Sequence, residues 1–111
     1  MKAIERAKAH FDSLDIKKIS VPEWGEDGQP LLIFSKPLTL QETSKLFRMA
    51  KEDDMAMLAY VLIYKALDEN GEKIFSLEDK NTLLNKVDRN VLIRVSNEIM
   101  AEQPEEEVKK N

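Results

Sequence analysis

The residues of this chain whose types and spacing could do chemistry are few. The densest group is ALDENGEKIFSLED, residues 66 to 79, where acidic side chains surround an Asn-Gly pair as they do in a calcium loop. Such a loop needs oxygen ligands at its first, third and fifth positions, Gly at the sixth, an apolar residue at the eighth and a bidentate Glu at the twelfth. With Gly71 at the sixth position, Asp68 and Asn70 fall correctly, but the first, eighth and twelfth positions are Ala66, Lys73 and Leu77. Starting the frame at Asp68 puts Lys73 where the sharp turn needs Gly. The stretch therefore reads as a tight turn at Asn70-Gly71, an extended segment from Lys73 to Phe75, and Ser76 capping a helix with Asp79 three residues on. No metal and no other cofactor is expected.

The other candidates are weaker. His10 has no second His and no Cys to work with, and serines such as Ser13, Ser44 and Ser96 stand at no spacing that pairs them with it. His10 reads as a solvated or half-buried side chain. The carboxylate pairs Asp53 with Asp54 and Glu78 with Asp79 fall at helix starts, where capping and the helix dipole account for them. The glycines stand singly at turn-like positions, so there is no phosphate-cradling loop. Catalytic residues are not expected; the chain reads as a binding protein.

Composition narrows the partners. Seventeen basic against 21 acidic residues give a net charge of -4, which argues against a nucleic acid held by its phosphates. There is no cysteine, so disulfides, a thiol nucleophile and thiolate metal sites are excluded. The opening MKAIERAKAHFDSLD alternates charged and apolar residues and is not a secretory signal, and a reducing cytoplasm fits. The run MAMLAYVLIY, residues 55 to 64, carries no charge but is half the length of about twenty residues that a membrane span needs.

The elements that position these residues follow from periodicity. Ile4, Ala7, Phe11 and Leu14 make one stripe of a first amphipathic helix. ISVPEW and LLIFS flank GEDGQP, whose Asp-Gly is a hairpin signal, while Pro22 and Pro30 belong at exposed strand positions. Trp24 is expected to close the hairpin end over the core. Thr39 and Glu42 form a capping box that opens a second helix with Leu40, Leu46, Phe47 and Ala50. Glu52, Asp53 and Asp54 head a third, the uncharged run, which is buried on most of its circumference. Leu83, Leu84 and Val87 mark a fourth helix, and Asp88 caps a fifth with Leu92, Val95 and Ile99 on one face. The expected fold is α+β, a small antiparallel β-hairpin packed on about five α-helices, one of them largely buried. Residues 1 to 101 are expected to form a single domain, and the acidic stretch 102 to 111 is expected to be disordered.

Three stretches, VPEWG at 21 to 25, KPLTLQE at 36 to 42 and YKALDENGEKIFSLED at 64 to 79, resemble in order and spacing the small tail assembly chaperones of long-tailed bacteriophages and prophages. The resemblance spans residues 11 to 101, with the departure that EDGQP follows the Trp-Gly pair where many relatives enter the next strand almost directly. It implies a chaperone of the host cytoplasm, absent from the mature virion. Such a protein binds the tape measure protein and keeps it soluble while tail tube subunits polymerise around it. A frameshift-extended form of the same chain, the tube subunit and further copies of itself are the other partners it implies. A holdase needs an exposed, adaptable apolar patch, and Phe47, Met55 and Met57 are its candidate residues here. The alternative is a small regulatory protein that uses the last two helices as a DNA- or protein-binding module. Arg89 and Arg94 are the only cations of the last helix, a weak basic face for that role.

Overall fold

A computed structural model describes residues 2–51 and 53–101. Alternation of apolar and polar residues sets the hairpin. In β1 (Lys17–Glu26), Ile19 and Val21 are buried while Lys18 and Ser20 face out, and β2 (Gln29–Ser35) buries Ile33 and Ser35. The strands pair antiparallel with Lys17 opposite Ser35, Ile19 opposite Ile33 and Val21 opposite Leu31, which puts the apolar side chains on one face. The turn is the Asp-Gly pair: Asp27 and Gly28 have φ of 54° and 77°, the two positive values that a two-residue hairpin turn of this hand requires. Between Val21 and Glu26 the register breaks, and Pro22, which cannot donate to a ladder, lies exposed inside that break. Gly25 sits there too, so close to the opposite strand that a Cβ would come within 2.0 Å of the Gln29 carbonyl oxygen.

The helices are α1 (Ala3–Asp12), α2 (Leu40–Met49), α3 (Asp54–Lys65), α4 (Lys80–Asn85) and α5 (Arg89–Met100), with one 3-10 turn at Leu77–Asp79 leading into α4. Local chemistry starts most of them. The Thr39 hydroxyl accepts the Glu42 N–H at 3.1 Å while the Glu42 carboxylate accepts the Thr39 N–H at 3.0 Å. Asp53 accepts the Met55 and Ala56 N–H groups and Asp88 that of Val91. Asp79 accepts the Ser76 N–H, so the predicted cap is present but opens the 3-10 turn rather than α4 directly. Glu52 and residues 102 to 111, for which a dipole role and disorder were expected, lie outside the described residues.

The core lies between the hairpin and α3 and α5. α3 contributes Ala56, Ala59, Val61, Leu62 and Ile63, as its uncharged sequence requires, and packs against α5, α2 and α4. α5 adds Val91, Leu92, Val95 and Ile99, and its buried Ser96 hydroxyl donates to the Leu58 carbonyl at 3.1 Å. After α3 the chain returns along β2. Phe34 and Leu67 exchange backbone hydrogen bonds of 2.8 and 2.9 Å, and Leu67 bridges in turn to Lys73. Trp24 is half-buried against this core with its ring edge-on to Phe75, centroids 6.1 Å apart.

Two helices differ from the pattern their sequences suggest. α1 buries none of its residues, and Ile4 in its stripe is 72% exposed, because the hairpin, α3 and α5 close the core without it. α4 ends at Asn85, and Lys86 leaves helical geometry at φ -131° and ψ 17°. The chain must break there to present Asp88 as a cap, so Val87 reaches the core from the connecting turn and Leu84 stays partly exposed.

Two long-range contacts fasten β1 to α5. Arg94 grips Glu23 with both guanidinium branches, at 2.8 and 2.9 Å, and these hydrogen bonds hold the Glu23 carboxyl down at about 2. The Lys17 ammonium donates to the carbonyls of Glu98, at 2.7 Å, and of Ala101, capping the last turn of α5 from the far end of the chain. Burial lowers the Lys17 pKa, against the pull of the Glu98 charge.

Gly25→Ala will therefore overpack the hairpin end, lowering stability by about 1–3 kcal/mol in urea unfolding; an unchanged midpoint would mean that the bulge opens freely. The depressed Glu23 pKa makes a stabilising contribution that is complete above about 4.5 and fades as pH falls toward about 2. Urea midpoints measured between pH 6 and 2 should fall further for the wild type than for Glu23→Gln, and parallel curves would show that the pair adds nothing.

Candidate partner-binding surface

The turn that first suggested a metal site is occupied by its own backbone. One Asp68 carboxylate oxygen accepts the N–H groups of Asn70 at 2.8 Å and Glu72 at 3.0 Å, and the Gly71 N–H donates to the Asp68 carbonyl. This is an Asx-type turn, in which the acid organises the loop rather than an ion. Among the described residues no group of acids, His or Cys is arranged to hold a metal. His10 lies on the exposed α1 with its carbonyl accepting the Ser13 hydroxyl, and no base faces a serine nucleophile there.

What the surface does offer is apolar area on α2 and at the head of α3. Leu40 and Phe47, seven residues apart and so on one face of α2, are 86% and 41% exposed, whereas Leu46 and Ala50 turn inward. Arg48 lies beside this strip and donates to Ser44 at 2.9 Å. Met55, the first residue after the α3 head, is 59% exposed. Met57 differs from Phe47 and Met55: it is half-buried and packs against the core.

Met57 belongs to a second stripe, with Tyr60 and Tyr64, that α3 turns toward α2 and α4. The two tyrosine rings stack with centroids 6.3 Å apart, and each carries a lysine, Lys80 at 5.1 Å from the Tyr60 centroid and Lys73 at 4.8 Å from that of Tyr64. Two grooves flank Tyr64. One of about 460 Å³ runs between α2 and α3, past Leu46, Met49 and Lys45; the other, of about 450 Å³, runs past Ile63, Phe75 and Leu77. Glu42 walls the first groove, bonded at 3.1 Å to Lys65 of α3. The Thr39 N–H, with Lys65 in support, holds the Glu42 pKa below its ordinary value.

The sequence reading picked out Phe47, Met55 and Met57 but missed the tyrosine and lysine cluster. The signal was present in two aromatics four residues apart, which must share a helix face, but the uncharged run around them reads as core throughout. Lys73 and Lys80 reach that face only through the turn after α3. The regulatory alternative needs free cations on α5, and there Arg94 is spent on Glu23 and also lies 4.0 Å from Glu98, leaving Arg89.

Comparison of the chain with protein-family models, with curated proteins and with solved structures finds no match. No helix among the described residues is long and apolar enough to cross a membrane.

Asp68→Ala removes the acceptor of two loop N–H groups and is expected to cost about 1–2 kcal/mol in thermal unfolding. Added calcium should leave the wild-type amide resonances of residues 66 to 79 in place, while saturable shifts confined to that loop would restore the metal reading.

Proposed function

We propose that this chain is a tail assembly chaperone of a long-tailed bacteriophage or prophage. It binds the tape measure protein in the host cytoplasm, keeps it soluble while tail tube subunits assemble, and is absent from the finished virion. The observation that carries the reading is the exposure of Leu40, Phe47 and Met55 on a chain whose core is filled without them. A protein that covers apolar surface on a client needs such area of its own, and here it is spread over two adjacent helices.

The three motifs behind the resemblance support it as architecture. VPEWG ends β1 with Trp24 against the core, KPLTLQE carries the chain from β2 into the capping box of α2, and YKALDENGEKIFSLED joins α3 to the Asx turn and the 3-10 turn. Each lies at a junction between elements.

Co-expression with the tape measure protein of the same locus tests the proposal. The client is expected in the soluble fraction, co-purifying with this chain, and a client that stays insoluble and unbound sinks the proposal. Phe47→Asp with Met55→Lys, both at exposed positions, should leave the unfolding midpoint nearly unchanged and reduce the soluble client several-fold. Full client yield with that folded variant would move the contact elsewhere on the surface.

A further inference from the structure

Asn70 differs from the other asparagines among the described residues. Asn81, Asn85, Asn90 and Asn97 lie in α4 and α5, held in helical geometry, and each is followed by a residue that carries a side chain, Thr82, Lys86, Val91 and Glu98. Asn70 stands exposed in the turn after α3 and is followed by Gly71. Gly71 is exposed as well, at a φ of 84°, and even a Cβ added to it would meet nothing within 4 Å. The Asn70 backbone N–H donates to the Asp68 carboxylate at 2.8 Å, but its side-chain carboxamide has no hydrogen-bond partner among the described residues. An unheld carboxamide therefore lies next to a backbone nitrogen that no side chain shields, outside any helix, where asparagine is chemically labile. The other pair of this kind, Asp27-Gly28, carries a carboxylate, a far poorer electrophile than an amide at neutral pH.

We propose that Asn70 is a site of spontaneous deamidation, and that the product loosens the turn between α3 and Phe75. The Gly71 backbone nitrogen attacks Cγ of Asn70, a C–N bond forms, and the side-chain nitrogen leaves as ammonia with the proton that Gly71 gives up. Water then adds to one of the two carbonyl carbons of the five-membered imide. Cleavage of the Cγ–N bond yields aspartate, and cleavage of the original peptide C–N bond yields isoaspartate. Either product places one more negative charge beside Asp68, Glu69 and Glu72, in a chain whose net charge is already -4. Isoaspartate also routes the main chain through Cβ, adding one backbone atom between residues 70 and 71. The turn is closed too tightly to absorb it: the Gly71 N–H donates to the Asp68 carbonyl at 3.0 Å and the Asp68 N–H to the Glu72 carbonyl at 2.8 Å. Beyond them the Ile74 N–H donates to the Ala66 carbonyl at 3.3 Å, so an added atom moves Glu72 to Ile74 out of register, and Phe75 with its edge-on contact to Trp24 follows. The restraint on the first step is the single hydrogen bond of the Gly71 N–H, which at an exposed turn slows the attack by about tenfold.

The test incubates the full chain beside a synthetic peptide of residues 64–79, at neutral and at mildly alkaline pH, and digests samples with trypsin at successive times. Cleavage after Lys65 and Lys73 releases residues 66–73 with the Asn70-Gly71 pair intact. In mass spectrometry that fragment should gain the difference between an acid and an amide, in two forms that chromatography separates. Its rate should rise with hydroxide concentration, because the attacking nitrogen must lose its proton, and should lie within about tenfold of the rate in the peptide. Fragments that hold Asn81, Asn85, Asn90 and Asn97 should stay unchanged over the same period. So should residues 66–73 of Asn70→Gln, where the same attack would have to close a six-membered ring. Trp24 emission should shift in the aged wild type and not in the aged variant. Conversion more than about tenfold slower than in the peptide, or conversion shared by the helical asparagines, would overturn the assignment of the site. Conversion at Asn70 with the Trp24 emission unmoved would overturn the loosening of the turn.

Discussion

A two-stranded sheet has one apolar face and no partner strand to protect it, so it persists in water only while that face stays covered. Here that face is buried in one core cluster with α3, ten of whose residues in succession carry no charge, and with α5, which lies against both α3 and β1. Everything else in the structure depends on this contact. Ile19, Val21 and Ile33 meet the helices because the hairpin register places them on one face, and that register is set by the Asp27-Gly28 turn. The irregular stretch at Pro22 and Gly25 then bends the hairpin end so that Trp24 reaches Phe75 beyond the helix layer.

The contacts that hold hairpin and helices in one arrangement are polar, few and long in sequence. Arg94 with Glu23 is two-pronged, so it fixes orientation as well as distance, and Lys17 satisfies carbonyls that the last turn of α5 leaves unpaired. Glu42 joins α2 to α3 in the same way, through a carboxylate that also closes the start of its own helix. These ties leave the outer face of α2 and Met55 at the head of α3 outside the packed core, whereas Tyr60 and Tyr64 stay half-buried against it. A binding surface can vary on α2 and at Met55 without disturbing the core, and there Leu40, Phe47 and Met55 are exposed.

Much of this was legible in the residues themselves. The Asp-Gly turn, the Thr39 and Glu42 box, the Asp53 and Asp88 caps and the burial of the uncharged run each depend on neighbours within a few positions. Such local rules predict elements and their ends. The spacing that departs from the calcium template suits an Asp68 that bonds its own loop. The stripe of α1 misled, because periodicity reports that a helix has an apolar face and not that anything lies against it.

By itself, then, the sequence determined the α+β class, the order and most ends of the elements, and the identity of the helix at the centre. Each of these follows from interactions between residues near in the chain. Only the tertiary structure decided that Leu40 and Phe47 face out while Leu46 faces in, that Arg94 is bound to Glu23, and that Lys73 and Lys80 stand over Tyr64 and Tyr60. Which side of an amphipathic element is covered, and which charges find partners, depends on the three-dimensional path of segments up to 84 residues apart. No periodicity within a single element carries that information.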